Sequence, residues 1–354
     1  MKKKVAIVEI GGSHDECILT QVIALKRADC YTVFCGTSKM YHANGEFQNY
    51  FDEFHEMVLP KTMIGDFLCM RNLNRWLKNQ MVTKVILNTA QGGHMRNLCF
   101  TSYKDMEFYG ILHTIKLLKG SFTQHLISKK VKNYFLLNDQ LLRNAGEVKG
   151  LNLHSFYPLD YPSFEATIEK PVDQLLIAII GGVENRRKDL SGFVKFAKAS
   201  PTYIRFVFLG KSDPAHQDVI DFKERLNELN LAPKVMLFDD FVNQSEFDAY
   251  LKATDGILPL VHPNTPSAEE YFLRQISGAI NVSFSYKIPM MIHENYKHWE
   301  DFNAGVIFYS IENIDEKFIQ YCEKLPELKQ ELQQNPKFSK QLQQQIFLDV
   351  ILNY

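Results

Sequence analysis

Short apolar runs recur along the chain, most of them stopped by glycine or asparagine and followed by residues at helical spacing. In the first half, residues 5–10 read as a buried strand ending at Gly11-Gly12, and 15–27 as the helix behind it. Further strands are predicted at 31–35, 84–88, 108–113 and 134–137, the last closing at Asn138-Asp139. A proline-flanked stretch at 157–162 interrupts the series, and a second series starts with LLIAII at 175–180. That run is apolar on both faces, as strands inside a parallel sheet are. Helices at 189–198, 218–229, 246–253, 277–286 and 316–325 then alternate with strands at 203–209, 234–238, 256–260, 288–292 and 306–309. Alternation at this spacing predicts parallel sheets joined by right-handed crossovers. Two such series predict two α/β, Rossmann-like domains, 1–165 and 171–325. In the tail, Leu342, Ile346, Phe347 and Ile351 fall at helical spacing. A terminal helix over 337–354 is therefore expected to pack back on the first domain.

Length supports the division, since 354 residues exceed one comfortable core. A formal net charge of −1 provides no field to hold a polyanion, which argues against nucleic acid as a partner. Six cysteines show no C-x-x-C spacing and read as buried free thiols in a reducing cytosol. The opening MKKKVAIVEIGG stops being apolar at Glu9, so it reads as a strand rather than a signal peptide. No run of about 18 apolar residues follows, and a cytoplasmic protein is expected. One segment stands apart. Residues 110–134 contain no acid but five lysines, Lys116, Lys119, Lys129, Lys130 and Lys132. Ile111, Ile115, Leu118, Phe122 and Leu126 form an apolar stripe at helical spacing there. This reads either as a surface helix with its core face or as a basic amphipathic helix able to touch anionic lipid at the inner membrane surface.

Ligands of open parallel sheets bind beyond the carboxyl ends of the strands, which directs attention to the loops there. Gly11-Gly12 lets backbone approach a ligand ahead of a helix start. Gly181-Gly182 is followed by Arg186-Arg187-Lys188, three cations at a helix start where the dipole prefers anions; a bound diphosphate would resolve that conflict. Arg274 precedes Ser277-Gly278, small residues that open a helix N-terminus toward a phosphate. His14, His94 and His113 each follow a first-half strand and are candidates for acid–base work. No metal-ligand spacing, D-x-D triplet, G-x-S-x-G, Walker loop or G-x-G-x-x-G occurs. Neither a metal ion nor a nicotinamide or other cofactor is therefore expected.

In order, IIGGVENRRKDLSGFVKFAK, YIRFVFLGK, FDDFVNQSEFDAYLKATDGILPL and ISGAINVSFSYKIPMMIHE resemble the donor domain of glycosyltransferase family 4 and related GT-B enzymes. Gly11-Gly12 and LHTIKLL resemble that family's first-domain glycine loop and T-x-H region more loosely. The resemblance implies two Rossmann-like domains facing across a cleft, a nucleotide-sugar donor on the second and a saccharide or lipid-linked acceptor on the first. It implies diphosphate contacts at Gly11, Gly12, Arg187, Lys188, Ser277 and Gly278, with Arg274 nearby, and leaving-group stabilisation without a metal. It departs from the family where two glutamates eight residues apart are replaced by Arg274 and Val282, and where an arginine is replaced by Val183. The ribose and sugar contacts are therefore not carried over. A base, if the enzyme inverts, is expected at His14 first, then His94 or His113; if it retains configuration, as the resemblance to family 4 implies, no side-chain base is needed. The expected function is a glycosyltransferase of polysaccharide biosynthesis. A GT-B sugar-nucleotide epimerase and a non-catalytic nucleotide-sugar-binding scaffold remain as alternatives.

Overall fold

In a computed structural model, the structure describes residues 2–11, 14–43 and 47–353. The chain divides into two compact units, 1–162 together with 339–354, and 163–338. Unit 1 holds strands β1 (Lys4–Glu9), β2 (Tyr31–Gly36), β3 (Glu53–Glu56), β4 (Lys84–Leu87), β5 (Glu107–Leu112), β6 (Asn133–Leu136) and β7 (Asn152–Ser155). They form one sheet in the order β3-β2-β1-β4-β5-β6-β7, every pair parallel. Its helices are α1 (Ile18–Arg27), α2 (Ser38–Ala43), α3 (Met63–Asn79), α4 (Gly92–Phe100), α5 (Phe122–Lys130) and α6 (Asp139–Ala145). Unit 2 repeats the scheme with β8 (Leu175–Ile180), β9 (Ile204–Lys211), β10 (Val235–Phe238), β11 (Gly256–Ile257), β12 (Met290–His293) and β13 (Val306–Tyr309), in the order β10-β9-β8-β11-β12-β13. Its helices are α7 (Leu190–Ala199), α8 (Gln217–Glu228), α9 (Gln244–Ala253), α10 (Ala268–Leu273), α11 (Gly278–Tyr286) and α12 (Ile314–Gln334). In each sheet the order reverses beside the first strand, between β1 and β4 and between β8 and β11. Open α/β sheets bind their ligands at such a switch point.

The packing follows from the sequence pattern. The four central residues of β8 are buried, and Phe193, Phe196, Phe206, Phe208, Phe222 and Phe318 from α7, β9, α8 and α12 fill the space beside it. The last helix, α13 (Lys340–Leu352), belongs to unit 1. Phe347 packs on Phe135 and Phe156, and the Gln344 amide donates to Asp160 at 2.9 Å. All six cysteines are free. No described helix is long and apolar enough to cross a membrane.

Three expectations need correction. The segment 110–134 is not one amphipathic helix: Ile111 is buried in β5, residues 113–121 are bends and turns, and α5 starts only after Gly120 at φ 103°. Ser121 caps α5 through the Gln124 N–H, and Phe122 points outward rather than joining a stripe. Lys130 and Lys132 donate to the carbonyls of Tyr103 and Ser128. The apolar stripe that helped motivate a membrane contact through this segment is lost, because helical spacing across a strand, a turn and a helix is coincidence; the five lysines remain. Second, the helix expected to stop at residue 325 runs through Pro326 to Gln334. An internal proline costs about 3 kcal/mol. Burying Leu325, Leu328 and Leu332, at about 2 kcal/mol each, outweighs it. Third, β3, β7 and the seventeen-residue α3 fill stretches to which no element was assigned. β3 (EFHE) and β7 (NLHS) are polar edge strands without an apolar run to announce them.

Candidate functional site

At the carboxyl edge of the first sheet, the residues around β1, β4 and β5 converge on a carboxylate. Glu9 ends β1, fully buried. Its carboxylate accepts from the Gly11 N–H at 2.7 Å, the Asn88 amide at 2.8 Å and the Thr89 hydroxyl at 2.6 Å. Burial pushes the Glu9 pKa above the usual range, and these bonds only partly oppose it. The Asn88 amide also donates to the carbonyl of His14, which is held at φ 65°. Here the His14 ring stacks on that of His113, with centroids 3.6 Å apart and planes 16° off parallel.

The two histidines differ in charge. His113 Nε2 lies 2.9 Å from the carbonyl of Asn88, so Nε2 carries the proton and Nδ1 is left as an acceptor. Nδ1 is buried and has no partner among the described residues. Burial, then the neighbouring His14, lowers the His113 pKa to about 4, so the ring is neutral near pH 7. For His14, burial disfavours the cation, but Glu16, 3.3 Å from Nδ1, overrides it and raises the pKa. Burial likewise opposes the Glu16 anion, and His14 overcomes it to lower that pKa. The ligand atoms of His14, Glu16 and His113 lie within 4.8 Å of one another, so this trio is the group that could hold a metal ion among the described residues. Nearly parallel imidazoles do not aim their ring nitrogens at one point, and a shared ion would require one ring to turn. His94 is elsewhere, at the start of α4, with Nδ1 2.5 Å from the buried Asp66, which also accepts from Asn97.

Unit 2 presents the opposite charge at its own switch point. Gly181, at φ 90°, follows β8, and a Cβ on Gly182 would lie 1.7 Å from the carbonyl of Lys211. Lys188 folds back on this turn: a Cβ on Gly181 would come 3.1 Å from its Nζ. Lys188 is only 8% exposed, with no carboxylate in ion-pair range among the described residues. Burial lowers its pKa to about 8, against the pull of Glu184. Asp189 caps α7 through the Gly192 N–H and ties its own N–H to the carbonyl of Leu260, which fixes the loop against β11. Arg187 is half-exposed and pairs with Glu184 at 3.2 Å. Ser277 precedes α11 without capping it, and Gly278 faces open space. The first N–H groups of such a helix have no intrahelical partner. Two buried histidines not singled out in the sequence, His262 after β11 and His293 at the end of β12, have ring centroids 4.7 Å apart.

The candidate residues thus fall into groups. His14 and His113 come together with Glu9, Glu16 and Asn88; His94 does not join them. The Gly11 N–H is taken by Glu9 and is closed to a phosphate, while Gly12 lies outside the described residues. Arg274 is not a free cation, since its guanidinium binds Glu269 at 2.8 Å and Glu270 at 2.9 Å. Val282, at one of the two glutamate positions, is buried in α11. Glu16 and Asn88 stand in no motif. Glu9 had a signal, as the one charge inside an otherwise apolar run.

No protein-family model and no curated protein matches the chain. Solved structures do. Anabaena HepE in complex with UDP is 10% identical, with a TM-score of 0.71 over 100% of both chains. A glycosyltransferase from Rickettsia africae is 13% identical, with a TM-score of 0.64 over 99% of this chain and 94% of that one. A putative UDP-N-acetylglucosamine 2-epimerase from Listeria monocytogenes is 11% identical, with a TM-score of 0.61 over 98% and 94%. The likeness is one of fold: the chain has the two-domain, parallel-sheet α/β fold of these GT-B structures.

Proposed function

We propose that the chain is a glycosyltransferase moving a sugar from a nucleotide-sugar donor, with a uridine diphosphate leaving group, to a saccharide or lipid-linked acceptor. The observation that carries this reading is Lys188: a buried ammonium with no carboxylate in ion-pair range among the described residues, folded onto the glycine turn at the switch point of unit 2. A buried cation calls for an anion, and the uncapped start of α11 belongs to the same sheet edge. Both suit a diphosphate whose charge grows as the sugar departs. HepE, alike in fold, has been solved with UDP and with UDP-glucose. The order of glycine turn, Arg187-Lys188 and Ser277-Gly278 supports a relationship to family 4. In unit 1, His14 backed by Glu16 is the base that takes the acceptor proton. A side-chain base implies inversion, and in this the proposal departs from the retention that the resemblance to family 4 implies.

An epimerase is the second reading. The Listeria structure shares the fold, and the His14–Glu16–His113 group equally suits abstraction of a carbon-bound proton. Product that forms only when a second sugar is supplied would exclude it. The donor reading is tested by thermal shift with UDP. At about 100 times its Kd, UDP stabilises the native protein by about 2.7 kcal/mol. In Lys188→Met that shift falls away, while the unliganded protein melts no lower because the variant relieves a buried charge. An undiminished shift in Lys188→Met would remove the donor site from this edge.

A further inference from the structure

The chain leaving β3 exposes an unusual amount of apolar surface. Val58 is 79% exposed, Met63 84%, Ile64 77% and Leu68 48%. Single exposed apolar residues are ordinary; a contiguous group is not. Two contacts tie the loop that carries Val58 to the start of α3. Cys69 Sγ donates to the carbonyl of Val58, and Pro60 packs so closely on Gly65 that a Cβ there would lie 2.9 Å away. Thr62 caps α3 through the Gly65 N–H, so the tip ends in a satisfied helix start.

Charge is arranged along the same helix. Ile64, Leu68, Arg71 and Arg75 share one face of α3 at i, i+4, i+7 and i+11. The first two are apolar and the next two are exposed cations, with Lys61 exposed on the loop beside them. The acid of α3 is Asp66, buried and turned inward to His94 and Asn97. Glu56 is the exposed acid at the end of β3. At 1.5 Å per residue, Arg71 stands about 10 Å along the axis from Ile64. Interfacial segments bury their apolar part by about 5–10 Å. A helix entering tip first would thus sink Met63, Ile64 and Leu68 and bring Arg71 and Arg75 to the headgroups.

We infer that this tip docks the protein on an anionic phospholipid surface. The test is co-sedimentation of the full chain with vesicles of phosphatidylcholine alone or mixed with phosphatidylglycerol. Wild type binds the mixed vesicles, and salt weakens the binding. The double variant Met63→Ser, Ile64→Ser loses about tenfold or more in binding. Arg71→Gln with Arg75→Gln loses about fivefold per cation, confined to the anionic vesicles. Lys116→Gln with Lys119→Gln, on the other basic segment, changes nothing. Wild type failing to bind, or binding unchanged in either tip variant, overturns the inference. So does a wild-type dimer that Met63→Ser, Ile64→Ser converts to a monomer, since a second copy would then cover the patch. These exposed residues stand apart from the groups assigned to UDP, so the thermal shift with UDP persists in every variant whichever way the vesicles decide.

Discussion

Both units are wound in the same order, and in both a glycine pair follows the first strand. Their carboxyl edges are nevertheless opposite. After β1, Gly11 meets Glu9, whose buried carboxylate takes its N–H, with His14, Glu16 and His113 nearby. After β8 the pair meets Lys188, a buried cation with no carboxylate in ion-pair range among the described residues. A glycine pair at a switch point therefore defines where backbone can approach a ligand, but the nearest buried charge decides what approaches. On the proposed function, the first edge moves a proton and the second receives an anion.

The largest effect that could break this comparison lies in unit 1. His14→Gln or Glu16→Gln should lower turnover by about 10²- to 10⁴-fold, the range for a lost general base. UDP affinity should stay within about twofold, because neither side chain belongs to the anion edge. Steady-state kinetics with a UDP binding isotherm read both. Loss of UDP affinity in either variant would mean that unit 1 also receives the diphosphate, as a glycine loop at Gly11-Gly12 would suggest from sequence.

How far the sequence foretold this division depends on the residue. The alternating apolar runs made the parallel sheets legible, since both faces of β1 and β8 are buried. Lys188 was legible because three cations at a helix start conflict with the dipole. Burial then separated it from Arg187, whose partner Glu184 lies three residues away and whose side chain stays in water. For Arg274 the spacing gave the charge but not its partners, Glu269 and Glu270, which pair with it locally. Glu16 and Asn88 act only through contacts made in three dimensions. The stripe at 110–134 misled because Gly120 breaks the helix, whereas the exposed tip of α3 carries no motif.

The next effect sharpens the comparison through acid stability. The His113 pKa is depressed to about 4 by burial. Unfolded, the ring titrates near 6.5. Its contribution to stability is therefore complete above about pH 6.5 and is lost as pH falls toward 4, by about 3 kcal/mol in total. His14, with its raised pKa, contributes the opposite slope, so the measurement is the difference between wild type and His113→Phe. Lys188, lowered to about 8, makes no such demand on unit 2 in acid; its linkage raises stability as pH climbs from about 8 to 10.5. Each unit carries one tryptophan, Trp76 in α3 and Trp299 in unit 2. Urea unfolding of Trp299→Phe and Trp76→Phe proteins then follows the units one at a time. Acid loss should be greatest in the Trp76 signal and largely absent from it after His113→Phe. An equal slope with and without His113 would mean that the stacked pair is not the group that titrates.

The smallest expected effect tests whether the anion edge has one cation or two. Arg274 is partly exposed and already held by Glu269 and Glu270. Exposed ion pairs contribute up to about 1 kcal/mol, so Arg274→Gln should change the melting temperature little. Its effect on UDP affinity should stay below about threefold, because a phosphate would first have to displace two carboxylates. Lys188 needs no such displacement, and that contrast is the point of measuring both variants in one titration series. Should Arg274→Gln weaken UDP as much as Lys188→Met does, the arginine must leave its glutamates on binding. Glu269→Gln combined with Glu270→Gln would then tighten UDP by freeing the guanidinium in advance, whereas a bystander arginine predicts no gain. The double variant thus separates a cation poised for the ligand from one that merely fastens α10.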